Sequence, residues 1–148
     1  MGLRRRSREK AVQVLYSLEF ATDWDFDFDS YIADYYTYFN LTTDMEVEET
    51  EFSNYLLHQV QLKRDEIESL IEKAAINWRI DRIAIIERNI LRVAVAEFLD
   101  NSNGVPFKAT INEAIDIAKK FGSKESSSFV NGIVNKIADL LQIKDVKL

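Results

Sequence analysis

Arg4-Arg5-Arg6-Ser7-Arg8, with Lys10 close behind, is the densest run of cations in the 148-residue chain, and Glu9 is its only counter-charge. Guanidinium pairs bidentately with phosphate, so such a run is suited to a polyanion. At the start of a helix these cations also oppose the helix dipole, by about 0.3–1 kcal/mol each, and a sequence shaped only for stability would avoid them there. A second basic cluster, Lys119, Lys120 and Lys124, surrounds Gly122, with Glu125 as the lone carboxylate beside it. That acid favours the dipole of a helix beginning there and repels phosphate. In Asp23-Trp-Asp-Phe-Asp-Phe-Asp29, Asp23, Asp25 and Asp27 have the first spacings of a calcium loop. Phe28 stands where such a loop needs Gly, and Asp34 where it needs a bidentate Glu, so the segment reads as a polar connection.

Composition narrows the chemistry further. The chain has no Cys, which excludes disulfides and thiolate metal sites, and suits a cytoplasmic location. One histidine, His58, excludes a His-rich metal site and argues against a Ser-His-Asp triad; it is expected on a helix surface or rim. No apolar run approaches a membrane span, and the basic N-terminus lacks the apolar stretch of a signal peptide. The net charge is −6, yet ten acids and no base lie between Thr22 and Glu51, so the remainder of the chain is net positive. Paired carboxylates in that acidic segment are a hydrolase's raw material, but a raised-pKa acid needs burial, which alternation with aromatics allows for only some of them. The expectation from composition is no metal site.

These groups must be positioned by helices. One Pro and four Gly make strands joined by tight turns improbable and favour an all-α fold. The stretch Arg82–Leu99 has no breaker, and Ile83, Ile86, Ile90, Leu91, Val93, Ala94, Val95 and Phe98 cover more than half of its circumference. It is expected to be a central helix covered on most sides, with Asp81, Arg88 and Arg92 on a narrow solvated stripe. Glu87 falls inside the apolar arc, where an unpaired carboxylate costs several kcal/mol. Either an internal cation answers it or that part of the arc is open to a partner. Glu97 also lies in the arc, but in the last turn, from which it can reach the rim.

Around this axis the periodicity predicts a first helix over 3–21, a short aromatic helix over 30–39, a helix over 48–62, a reversal at Lys63–Asp65, and a helix carrying Ile67, Leu70, Ile71 and Ala74. Thr110-Ile-Asn-Glu113 reads as a capping box opening a helix to Phe121, with Gly122 as a left-handed stop. The last helix is expected to start in Ser126–Ser128 and to approach a neighbour closely at Gly132. The whole reads as about seven helices in two small bundles: residues 1–62, bearing the basic arm, and residues 63–148, built around the helix over 82–99. On the first helix, Tyr16 and Phe20 share an edge that faces either the core rim or a partner.

Four ordered stretches resemble one known family. They are Arg4-Arg-Arg-Ser-Arg8-Glu9-Lys-Ala-Val-Gln-Val-Leu-Tyr16, Glu87-Arg-Asn-Ile-Leu-Arg92-Val-Ala-Val-Ala-Glu97, Val105-Pro-Phe-Lys108-Ala-Thr-Ile-Asn-Glu113 through Phe121-Gly122, and Phe129-Val-Asn-Gly132. Together they are similar to the NusB transcription antitermination factors, over the first helix and from about Arg82 to Ala138; the segment Thr22–Glu51 finds no match. The resemblance implies a cytoplasmic, bacterial, all-helical RNA-binding protein without catalysis or cofactor. It implies binding of boxA RNA in nascent ribosomal RNA transcripts together with NusE, also a small-subunit ribosomal protein, in RNA polymerase antitermination complexes. By position it implies an RNA-facing side of Arg4, Arg5, Arg6, Arg8, Phe107, Lys108, Phe121 and the Glu125 region, to which the basic cluster adds Lys120. It implies a NusE-facing side at Tyr16 and Glu87. Phe107 replaces an expected Tyr, so it can stack on a base but donates no hydroxyl. An arginine arm with separate aromatics suits single-stranded RNA. The rival without nucleic acid is a homo-oligomer in which Tyr16 and Glu87 face a second copy; a free protein that self-associates is compatible with RNA binding too.

Overall fold

The computed structural model describes residues 2–21, 28–35, 37, 47–76, 83–100 and 104–142. Among them are helices and no strand: α1 (Gly2–Ala21), a short α2 (residues 28–35), α3 (Val47–Leu62), α4 (Arg64–Ala74), α5 (Ile85–Leu99), α6 (Phe107–Phe121) and α7 (Lys124–Leu140). None of the described helices is long and apolar enough to cross a membrane. Asp23, Asp25 and Asp27 of the calcium-like segment, the far end of the helix expected over 30–39, and Asp81 lie outside the described residues.

α5 is the axis. Every residue from Asn89 to Phe98 is buried, because α1, α3, α4, α6 and α7 all pack against it. The core gathers Leu15 and Leu18 of α1, Leu56 and Leu57 of α3, Ile67 of α4, Ile117 of α6 and Ile137 of α7 around Ile90, Leu91 and Val95. Each such side chain contributes about 1.5–3 kcal/mol through its removal from water. α2 joins this core through Phe28 and Ile32, and the Tyr31 and Ser17 hydroxyls, 2.6 Å apart, tie it to α1. At the reversal between α3 and α4, Lys63 donates to the Leu99 carbonyl (3.3 Å), placing a cation at the C-terminus of α5. His58 is exposed, with Nε2 3.2 Å from Asp29.

Several local expectations give way to tertiary partners. Arg92 is buried, not solvated: Nε and Nη2 donate to both Glu68 carboxylate oxygens (3.0 Å each), and Nη1 donates to Asn89 (2.8 Å) and to Glu19. The narrow polar stripe of α5 is covered by α4 and α1, and each brings an acid. Burial opposes the Arg92 charge, but the Glu68 and Glu19 hydrogen bonds outweigh it and raise the pKa. Thr110 and Glu113 form no capping box. α6 begins three residues earlier behind Pro106 (φ −60°, ψ 139°), after a turn at Gly104 with φ +67° that favours glycine. Both residues are therefore inside the helix and turned toward other elements.

α7 likewise starts before Ser126, at Lys124. Ser123 is its N-cap: the Ser126 N–H donates to Ser123 Oγ (3.3 Å) and the Ser123 N–H to Ser126 Oγ (3.2 Å). Gly122 is extended (φ −109°, ψ −168°), not left-handed. It must be glycine for space: an added Cβ would lie 2.6 Å from Ser126 Oγ and 3.0 Å from the Ala118 carbonyl oxygen. Gly132 shows the reverse. An added Cβ would meet nothing within 4 Å, since Val130, Ile133, Val134 and Ile137 are the residues α7 buries. The expected close approach there is absent, and nothing in the structure explains this glycine.

Candidate nucleic-acid interface

The arginine run is not an extended arm but the first two turns of α1, which has no acid in its opening turn. The fold supplies the missing negative charge from elsewhere, and the four arginines have different fates. Arg8 is consumed by the core. It lies on the stripe that continues through Ala11, Val12 and Leu15, and it forms a bidentate pair with Glu97, Nε to Oε2 2.7 Å and Nη2 to Oε1 2.8 Å. Both side chains are about 95% buried. Arg5 pairs with Glu113 through Nε (2.9 Å) and Nη2 (2.6 Å), and Nη2 also reaches Asp116 (2.7 Å). Arg6 is exposed and 3.0 Å from the buried Glu49 carboxylate, beside the Ser7 hydroxyl that donates to the Glu49 carbonyl (2.9 Å). Arg4 is exposed, with its guanidinium 4.4 Å from the centre of the Phe52 ring.

These pairs lay α1 alongside α6 in the same direction, since Arg5 meets Glu113 and Asp116 while Glu9 meets Lys120 (3.0 Å). This meeting brings Arg5 and Glu9 together with Lys120, which lies 5.5 Å from the centre of the Phe121 ring, while Arg4 and Arg6 turn to Phe52 and Glu49 of α3. Lys119 and Lys120 occupy the last turn of α6, where cations complement the dipole. Exposed Glu125 follows in the first turn of α7. Phe107 and exposed Lys108 stand at the opposite end of α6, about 20 Å away at the helical rise; the Phe107 ring packs on Phe98 (5.9 Å between centres) and is half-buried. Burial, and then the neighbouring Arg6 charge, lower the Lys10 pKa. An anion bound beside the start of α1 would act against that lowering.

Glu113 is the internal counterpart of such an anion. The Arg5 hydrogen bond holds its carboxyl below the ordinary 4.5, against the opposing effect of burial, with the Arg5 and Arg8 charges adding to the hydrogen bond. A depressed folded pKa means that the unfolded chain takes up the proton first as pH falls. This stabilisation is complete above the ordinary value and is lost as pH falls through the folded one. In urea unfolding, Glu113→Gln is expected to be less stable than the parent at pH 7, and the two midpoints should converge as pH falls below the ordinary 4.5. A constant gap would assign the difference to packing instead.

On the other side, Tyr16 is 42% and Phe20 67% exposed, their rings tilted with centres 5.4 Å apart. Glu87 is half-buried, and among the described residues no cation answers it. Because α5 starts at Ile85, Glu87 sits in its first turn and accepts the Ala84 N–H (3.1 Å), and the Ser126 hydroxyl donates to it (2.6 Å). An internal cation, one of the two alternatives for Glu87, exists ten residues along α5, as Arg8 on Glu97. Sequence reasoning misses Glu49, Glu113 and Asp116 as partners of the arm. The one available signal is the position of Arg8 four residues before Val12, on the buried stripe.

A family model described as the NusB family matches residues 5–139, a span that includes the acidic segment. The transcription antitermination protein NusB of Myxococcus xanthus is 39% identical over 138 residues, covering 93% of this chain and 96% of that protein. Among solved structures, T. maritima NusB superposes with a TM-score of 0.73 at 28% identity, covering 92% of this chain and 90% of the other. A crystal structure of antitermination factors NusB and NusE in complex with double-stranded RNA gives 0.70 at 26% identity, covering 95% and 98%. A match spanning nearly every helix, carried by both sequence and fold, means that the chain belongs to the NusB family.

Proposed function

We propose that this protein is a non-enzymatic, cytoplasmic transcription antitermination factor. It binds boxA-type single-stranded RNA of nascent transcripts, those of ribosomal RNA operons foremost, as a heterodimer with NusE within the RNA polymerase antitermination complex. The observation that carries the reading is the set of ion pairs linking α1 to α6, which brings Arg5, Lys120 and Phe121 together, with exposed Arg4 and Arg6 at the same end of α1. The relative crystallised with NusE and RNA supports it. In this reading Arg4, Arg6, Lys108 and Lys120 meet phosphates, Phe121 and Phe107 offer ring faces, and Glu125 borders the RNA. Arg8 braces α1 from inside. Tyr16 and Glu87 meet NusE.

Binding of a boxA-type oligonucleotide, with NusE present, tests this across a salt series. Replacing Arg4 and Arg6 with Ala is expected to weaken binding and to lower the salt slope by about 0.7 for each phosphate left unneutralised. Thermal stability should change little for Arg4→Ala alone, whereas Arg6→Ala also removes the cation beside buried Glu49 and should lower stability. An unchanged slope would rule out the arm as the phosphate-binding element. Stronger binding of a duplex of equal length would assign the face to double-stranded RNA. Gel filtration of the free protein reads whether Tyr16 and Phe20 meet a second copy before NusE does.

A further inference from the structure

Lys108, Asn112, Asp116 and Lys120 follow one another at four-residue spacing and form one stripe along α6. Asp116 is the only acid in that stripe. Of the two acids in α6 it is also the one that reaches solvent, its side chain 41% exposed against 9% for Glu113. Arg5 does not need it for neutralisation, because Glu113 already takes Nε and Nη2 in a bidentate pair. Nη2 then makes a second bond outward, to Asp116 Oδ2 at 2.7 Å. Two carboxylates three residues apart on one helix repel each other, and Arg5 holds them together. Their cluster carries net negative charge beside exposed Arg4 and Lys120, on a face otherwise arranged for anions. The outer side of a guanidinium, where Asp116 sits, is where a phosphate oxygen would bind.

We infer that Asp116 is an internal phosphate mimic that sets the affinity and selectivity of this face: a phosphate reaches Nη2 of Arg5 only by displacing it. This rests on the RNA reading of the α1–α6 face. An RNA held at enough other points opens Arg5, whereas a polyanion held at one or two does not. Asp116 thus acts against the wrong ligand more than for the right one.

The test compares the full-length protein with Asp116→Asn, which keeps the side-chain shape and an oxygen acceptor for Arg5. The probes are a single-stranded boxA-type RNA and a poly-U of equal length, over a salt series. The variant is expected to bind both more tightly at low salt, by up to about fivefold, with the larger gain on poly-U. Its salt slope should steepen by about 0.7, the equivalent of one more neutralised phosphate. Arg5→Ala in the same background should cancel the gain, and the unfolding midpoint should hold. Parent protein that binds RNA while Asp116→Asn binds equally or less tightly overturns the inference and leaves Asp116 as a support for Arg5. A gain that survives Arg5→Ala overturns it in favour of a general charge effect. Absence of RNA binding by the parent overturns the RNA reading, and the mimic with it.

Discussion

Arg8→Met is expected to lower the free energy of unfolding by about 3–5 kcal/mol, because it leaves Glu97 charged, buried and without its bidentate partner. The nearest remaining help is the Thr110 hydroxyl at 3.4 Å, a long hydrogen bond. Glu97→Met alone should cost a similar amount for the mirrored reason. Combining the two replacements should recover most of the loss, since an apolar pair of similar volume needs no compensating charge. Urea denaturation of the three variants measures this. Additive losses in the double variant would show that the two side chains contribute through packing, not through their pairing. The same experiment separates the arginines by role. Arg8→Met should weaken RNA binding only to the extent that it unfolds the protein, whereas Arg4→Ala should weaken binding without unfolding.

Glu87→Gln should leave the fold nearly intact and cost about 2–5 kcal/mol of NusE binding, if a cation of the partner reads the carboxylate at the interface. The near-neutral effect on stability follows from the groups around it. The amide oxygen still accepts one of the two hydrogen bonds, and the Ser126 hydroxyl, already an acceptor for Ser123 N–H, can accept from the amide nitrogen. The folding cost should stay within about 1.5 kcal/mol. Charge reversal to Lys is the less clean change, because it also removes the acceptor for Ala84 N–H at the start of α5. Calorimetric titration of NusE into parent and variant gives the answer. Equal affinities would make Glu87 a fastener between α5 and α7 with no part in the interface.

What is legible in the sequence is periodic or composite. The apolar arc of Ile90, Leu91, Val95 and Phe98 places α5 at the centre, and the structure buries it on all sides. The four family stretches identify the fold, since their order and spacing carry more information than any one of them. What is not legible depends on partners distant in the chain. Arg92 looks solvated on a helical wheel because the wheel does not contain Glu19 or Glu68. Thr110-Ile-Asn-Glu113 has the pattern of a cap, yet Arg5, 108 residues before Glu113, claims its acid. A carboxylate in an apolar arc does need a cation, but in this fold that carboxylate is Glu97. The early start of α5 at Ile85 gives Glu87 two neutral donors instead.

The long reach of these ion pairs also orders events during synthesis. Arg8 and Glu97 are 89 residues apart, and Arg5 and Glu113 are 108. At about 5–20 residues per second, the cation-rich start of α1 leaves the ribosome on the order of 5–20 s before the acids that neutralise it have been made. Throughout that interval the nascent chain presents Arg5 and Arg8 without those partners, next to a ribosome made largely of RNA. The arrival of α5 and then α6 is therefore also the moment at which Arg8 and then Arg5 gain their internal carboxylates.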